Sequence, residues 1–221
     1  TAIGTNVYKS EYFPLEIKGR NEFVYSFVRD NELLTKGEFL DNMNLISCFV
    51  TPEDPIIKYF TQKIQQQILK GDVAAVTRDG NEAVRFLKAI YQATYLSGMV
   101  YSGTSGVPSS NHGVTTITQN IRLPREVITG KTGLCIELSI LYASVLMTAG
   151  LDPVIYFMPG HAYPGFKMDG LHYAIEATGI GGEGLGGRAT ADVALQAGME
   201  QLNDFIYMMN SGDDQYQILD V

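Results

Sequence analysis

Apolar and polar positions alternate over 12–17 (YFPLEI) and 22–28 (EFVYSFV), and Lys18-Gly19-Arg20-Asn21 between them is turn chemistry. That pattern predicts two strands joined by a turn. Residues 1–48 are read as a β-rich extension of the main domain, or the stump of a preceding one. The period then changes. Asp54 followed by Pro55 is a helix start, and Ile57, Phe60, Ile64 and Ile68 recur at helical spacing up to Gly71. A second helix follows Asn81, with Val84, Leu87, Tyr91, Thr94 and Tyr95 on one face until Gly98. The stretch 102–113 (SGTSGVPSSNHG) is a loop by composition. A third helix is predicted over 134–149, stopped by Gly150 with Pro153 beyond. Its apolar face carries Leu138, Tyr142, Val145 and Ala149, and Cys135 lies on that face in the first turn. Strand-like runs follow at 154–158, around His161 and at 172–177, then a Gly-rich loop at 179–187. A last helix over 191–210 repeats Leu195, Met199, Leu202, Ile206 and Met209, and 216–221 reads as a closing strand. There is no internal repeat. Helices first and a meandering sheet afterwards predict an α+β fold rather than βαβ units.

Composition narrows the function. The chain has 221 residues, 45% apolar and 18% charged, with a net charge of −8. That length and apolar content suffice for a real core. Lys and Arg are scattered singly, which argues against a nucleic-acid or anionic-membrane partner. No apolar run approaches the ~20 residues that span a bilayer, and the opening TAIGTNVYKSEYF is mixed and polar, unlike a signal peptide. Cys48 and Cys135 are read as free thiols, Cys48 as a core residue.

The chemistry concentrates after Gln119. A thiol attacks as its thiolate, which a helix N-terminus and a neighbouring imidazole both favour. Cys135 has the first if the helix over 134–149 forms, and its own backbone N–H then faces the bound carbonyl as an oxyanion donor. His161, after Pro159-Gly160 at a strand start, is the better of three histidines for the imidazole. Glu176 lies 176 − 161 = 15 residues on, where an adjacent antiparallel strand sets it beside His161 to fix the ring. His172 is the rival, but it would lie in one strand with Glu176, about 13 Å away; His112 falls in the polar loop. Each residue alone reads as readily as an ordinary core side chain. Their order is what carries the reading.

Other motifs are decoys. Gly130-Lys131-Thr132 ends like a phosphate-binding loop, but the leading glycine would fall at Arg125. Gly179-Ile-Gly181-Gly-Glu-Gly184 has dinucleotide-fingerprint spacing without a helix directly after it. Three dispersed histidines give no zinc spacing.

Thr132-Gly-Leu-Cys135-Ile-Glu-Leu-Ser followed by Ala149-Gly-Leu-Asp-Pro, then Pro159-Gly-His161-Ala, then Ile175-Glu176-Ala-Thr178, together resemble the three motifs of the transglutaminase-like family. Gln119 to Ile128, Phe49 to Pro55 and the closing Ile218-Leu-Asp-Val221 are similar to bacterial members, so the resemblance covers roughly 49–221. It implies a papain-like core, a nucleophile helix packed on an antiparallel sheet, and a cofactor-independent Cys135-His161-Glu176 triad. The implied reaction is hydrolysis of a peptide, isopeptide or related amide through a thioester, on a peptide or protein substrate, with no metal and no membrane insertion. By analogy with papain-type enzymes, Gln119 is the second oxyanion donor. Two features depart from the family: Glu176 stands where Asp is usual, and Trp is absent. Alternatives are a non-catalytic module on the same fold, and N-acetyltransferase-like acyl transfer, which Thr132-Gly133 in place of Arg-Gly disfavours. The expected protein is soluble, with the bacterial cell envelope or exterior as its expected place.

Overall fold

The computed structural model describes residues 11–15, 17–27, 40–71, 79–109, 116–184 and 187–221. In chain order the strands and α-helices are β1 (Glu22–Phe27), α1 (Pro55–Lys63), α2 (Gly80–Leu96), β2 (Val100–Tyr101), β3 (Thr116–Asn120), α3 (Pro124–Gly130), β4 (Thr132–Gly133), α4 (Cys135–Thr148), β5 (Asp152–Met158), β6 (His161–Met168), β7 (Leu171–Ala174), α5 (Ala191–Asn210) and β8 (Gln217–Asp220). A 3₁₀ segment, Met43–Phe49, precedes α1. The strands form an antiparallel sheet ordered β7-β6-β5-β8, an antiparallel β1–β3 pair and a two-residue parallel β2–β4 pair. The fold is α+β. Among the described residues no helix is long and apolar enough to cross a membrane.

Local chemistry accounts for most element ends. Asp54 accepts from the Ile56 N–H at 2.9 Å and Pro55 opens α1. Asp79 and Thr190 cap α2 and α5 in the same way. Asp169 and Gly170, at φ 52° and 77°, supply the two left-handed residues of a tight β6–β7 turn. The helix expected up to Gly71 instead widens into a π-turn over Ile64–Ile68. Its apolar row Phe60, Ile64, Ile68 has a spacing of four, longer than an α-turn. The wider turn swings Ile68 and Leu69 onto the core.

α4 is the axis of the molecule. It was expected to be one-faced, but every residue from Cys135 to Leu146 is buried. Leu138, Leu141, Tyr142 and Val145 pack among α1, α2 and α5, whereas Cys135, Ile136, Ile140 and Ala143 meet Tyr25, Ile117, Ile155 and Phe157 of the strands. Glu137 is the only charged residue in the helix, as burial on all sides requires. Ser139 and Ser144 return their hydroxyls to the carbonyls of Cys135 and Ile140, each at 2.8 Å. Neither leaves a buried donor unmet.

Several expectations need correction. The described part of 12–17 is not a strand: Tyr12, Phe13, Leu15 and Ile17 are exposed, and Pro14 offers no N–H to a ladder. The third strand ends at Ala174, so Glu176 lies beyond it. The strand at His161 is long, eight residues. Cys48 is exposed rather than a core thiol, because the 3₁₀ segment turns Met43 and Ile46 inward instead. Val28 and His112 lie outside the described residues.

Candidate active site

The approach to α4 is shaped by size and charge. A β-carbon on Gly133 would stand 3.0 Å from Leu138 and 3.2 Å from Val127, so any larger residue makes those side chains give way where the chain enters the helix. Leu134, the residue before the first turn, has no side-chain acceptor, while Glu137 accepts its backbone N–H at 2.9 Å. The usual reciprocal cap is therefore half built. No capping side chain shields the end where Cys135 sits.

Glu137 is itself held by Arg122, through Nε at 3.0 Å, Nη2 at 2.7 Å and the backbone N–H at 2.9 Å, and Arg122 Nη2 also reaches the Thr132 carbonyl at 3.0 Å. This clamp sets the angle at which the chain enters α4. Glu137→Ala strands a partly buried guanidinium and frees the Leu134 N–H. It should cost about 3 kcal/mol in denaturant unfolding; a loss under about 1 kcal/mol would show the clamp to be dispensable.

The imidazole arrives from the sheet. Met158 pairs with His161 across the two-residue turn Pro159-Gly160, and Gly160 takes φ 77°. The ring thus projects from the first residue of β6, with the Tyr163 ring stacked 6.0 Å from it. Past the end of β7, the Ile175 N–H bonds the Pro164 carbonyl at 3.1 Å and the Glu176 N–H bonds Ala194 of α5 at 2.9 Å. Those two bonds turn Glu176 back over the sheet. Its Oε2 meets His161 Nε2 at 2.8 Å. Its Oε1 accepts from the Thr178 N–H at 2.9 Å and the Thr178 hydroxyl at 2.6 Å.

Cys135, fully buried, lies close enough to the same imidazole to act on its protonation. Burial opposes protonation of His161, but the contacts with Cys135 and Glu176 outweigh it, and its pKa is raised from 6.5 to about 10. Burial likewise works against the Glu176 carboxylate, yet His161 and Thr178 hold it below its ordinary range. A raised histidine stabilises the fold fully below pH 6.5 and loses that contribution as pH climbs through about 10. A lowered carboxyl contributes above its ordinary value of 4.5 and loses that as pH falls. The stability margin of the native chain over His161→Ala should therefore shrink between about pH 7 and pH 10 in thermal melts; a margin constant across that range would contradict the arrangement.

Of the four residues singled out in the sequence, Cys135, His161 and Glu176 converge. Gln119 is near but engaged: it accepts from the Tyr25 hydroxyl at 2.8 Å, and its amide nitrogen donates to Ser105 Oγ at 3.1 Å and the Gly106 carbonyl at 3.2 Å. His172 is elsewhere, its Nδ1 bonded to the Tyr156 hydroxyl at 3.0 Å. Two tyrosines were missed. Burial and then the charge of Cys135 push up the pKa of Tyr25, and Tyr101 feels Cys135, Glu176 and Glu183 after burial. Tyr25 is 135 − 25 = 110 residues from Cys135, and only the β1–β3 pairing brings it there. No local signal marks it. Among the described residues no group of three or more His, Cys, Asp or Glu could hold a metal ion.

The chain matches no protein-family model, no curated protein and no solved structure.

Proposed function

We propose that the chain is a cysteine-dependent acyl-transfer enzyme of papain-like, transglutaminase-like type, with Cys135 as nucleophile, His161 as proton carrier and Glu176 as the group that fixes the ring. The observation that carries the reading is an imidazole held at Nε2 by Glu176, 2.8 Å away, and close enough to a buried thiol in the first turn of a helix for that thiol to raise its pKa. Attack by Cys135 on an amide carbonyl generates an oxyanion beside the opening N–H groups of α4. His161 delivers its proton to the leaving amine, and a thioester remains on Cys135. Water or a second amine, deprotonated by His161, then resolves the thioester. A peptide, isopeptide or related amide of a protein is the substrate class this chemistry serves.

The test uses an activated ester. p-Nitrophenyl acetate should give a burst of nitrophenolate and an acyl adduct that peptide mapping places on Cys135 and hydroxylamine discharges. An adduct on Cys48 alone would defeat the proposal. A second reading, a non-catalytic module on the same fold, is favoured by one observation, the complete burial of Cys135. That reading expects no burst.

A further inference from the structure

Fully buried Cys135 shares its apolar cluster with one residue of an otherwise largely exposed piece of chain. The parallel β2–β4 pair sets Tyr101 beside Gly133, and the Ser102 N–H bonds the Gly133 carbonyl at 2.9 Å. The strap 102–109 therefore starts beside Gly133, which lies two residues ahead of Cys135. It next crosses to the turn ahead of His161, where Gly106 packs so tightly that a β-carbon there would lie 2.4 Å from the Gly160 carbonyl oxygen. Residues 103–106 face solvent, but Val107 turns inward, 3% exposed, in the same apolar cluster as Cys135 and Ala162. Two further bonds fasten the strap, both from the Gln119 amide, to Ser105 Oγ and the Gly106 carbonyl.

We propose that the strap 102–109 is a lid that closes the Cys135–His161 site, plugged by Val107 and latched by Gln119. The proposal rests on Cys135 being the nucleophile, and names what regulates access to it. A substrate carbonyl reaches the thiol only after Val107 leaves the cluster. The same movement breaks both Gln119 contacts and frees that amide to donate into the opened site. In the closed state the thiol is shielded from solvent and oxidants, so reactivity scales with the fraction of molecules whose lid is open.

The experiment is iodoacetamide alkylation of the full chain carrying Cys48→Ser, which removes the exposed thiol. Two variants open the lid by different routes. Val107→Ala shortens the plug, and Gly106→Ala forces a methyl onto the Gly160 carbonyl. Each should raise the alkylation rate of Cys135 by roughly ten-fold or more over the closed parent. Adding His161→Ala to the Gly106→Ala chain should then slow it again. Equal rates in parent and variants, or slower variants, overturn the lid. If that common rate still falls with His161→Ala, the nucleophile stands without a lid; if it does not, both fall. Melting temperatures taken alongside separate opening from unfolding, and Val107→Ala, the milder change, decides where Gly106→Ala melts early.

Discussion

Replacing His161 with alanine should slow acyl transfer from p-nitrophenyl acetate to Cys135 by roughly 10²- to 10³-fold, while His172→Ala leaves the rate within about two-fold. Both residues sit in the same sheet, so the contrast isolates chemistry from folding. Glu176 bonds His161 at Nε2, and Cys135 is near enough to raise the pKa of the same ring. His172 bonds Tyr156 and pairs across the sheet with Lys167, and both burial and that lysine hold its pKa below the ordinary 6.5. Nitrophenolate release from chains carrying Cys48→Ser measures both variants. Equal losses, or a loss only in His172→Ala, would mean the proton carrier is misassigned.

The second large effect comes from a position with no chemistry of its own. Gly198 lies within α5, where alanine is favoured over glycine by about 1 kcal/mol. A β-carbon there, however, would stand 2.4 Å from the Ile175 Cα and 2.7 Å from its backbone N and C. Ile175 cannot retreat, because its N–H is bonded to Pro164, and the next residue is Glu176, tied to Ala194 of the same helix. The helix must move, and Glu176 with it. Gly198→Ala should therefore destabilise the fold by about 3 kcal/mol and lower the acyl-transfer rate by loosening the carboxylate on His161. Urea unfolding and nitrophenolate release read the two effects. A neutral or stabilised variant would show that helix propensity outweighs the close approach.

Much of this was legible along the chain, and the parts that were not share a cause. Helix starts were written in single residues, as in Asp54-Pro55, and stops in Gly150. The hairpin at Pro159-Gly160 put His161 at a strand start, as its neighbours suggested. What stayed hidden depends on distant chain. The pairing of β1 with β3, which brings Tyr25 and Gln119 to Cys135, joins segments 94 residues apart. α3 was missed because seven residues leave little periodicity, although Pro124 at its first turn and Glu126 accepting the Leu123 N–H at 2.8 Å are start signals. Glu176 was placed in the strand-like run 172–177; the Ala194 carbonyl of α5 captures its N–H instead. Burial of α4 on all sides was visible in its near-absence of charge, yet a single apolar stripe was read from it. Gly198 carried a signal that only the fold explains: a glycine tolerated inside a long helix usually marks a close neighbour.

The central claim is that one imidazole is shared by Cys135 and Glu176, and a titration of His161 tests it most directly. In ¹⁵N-labelled protein the His161 ring nitrogens report its protonation across the pH range. The native chain should keep this imidazole protonated well above pH 7, titrating near the value of about 10 that its two partners impose. In Cys135→Ser the midpoint should fall, because the first of the raising contacts is lost, while Glu176 continues to hold the ring at Nε2. A His161 that titrates at its ordinary 6.5 in the native chain, and does not respond to Cys135→Ser, would contradict the account.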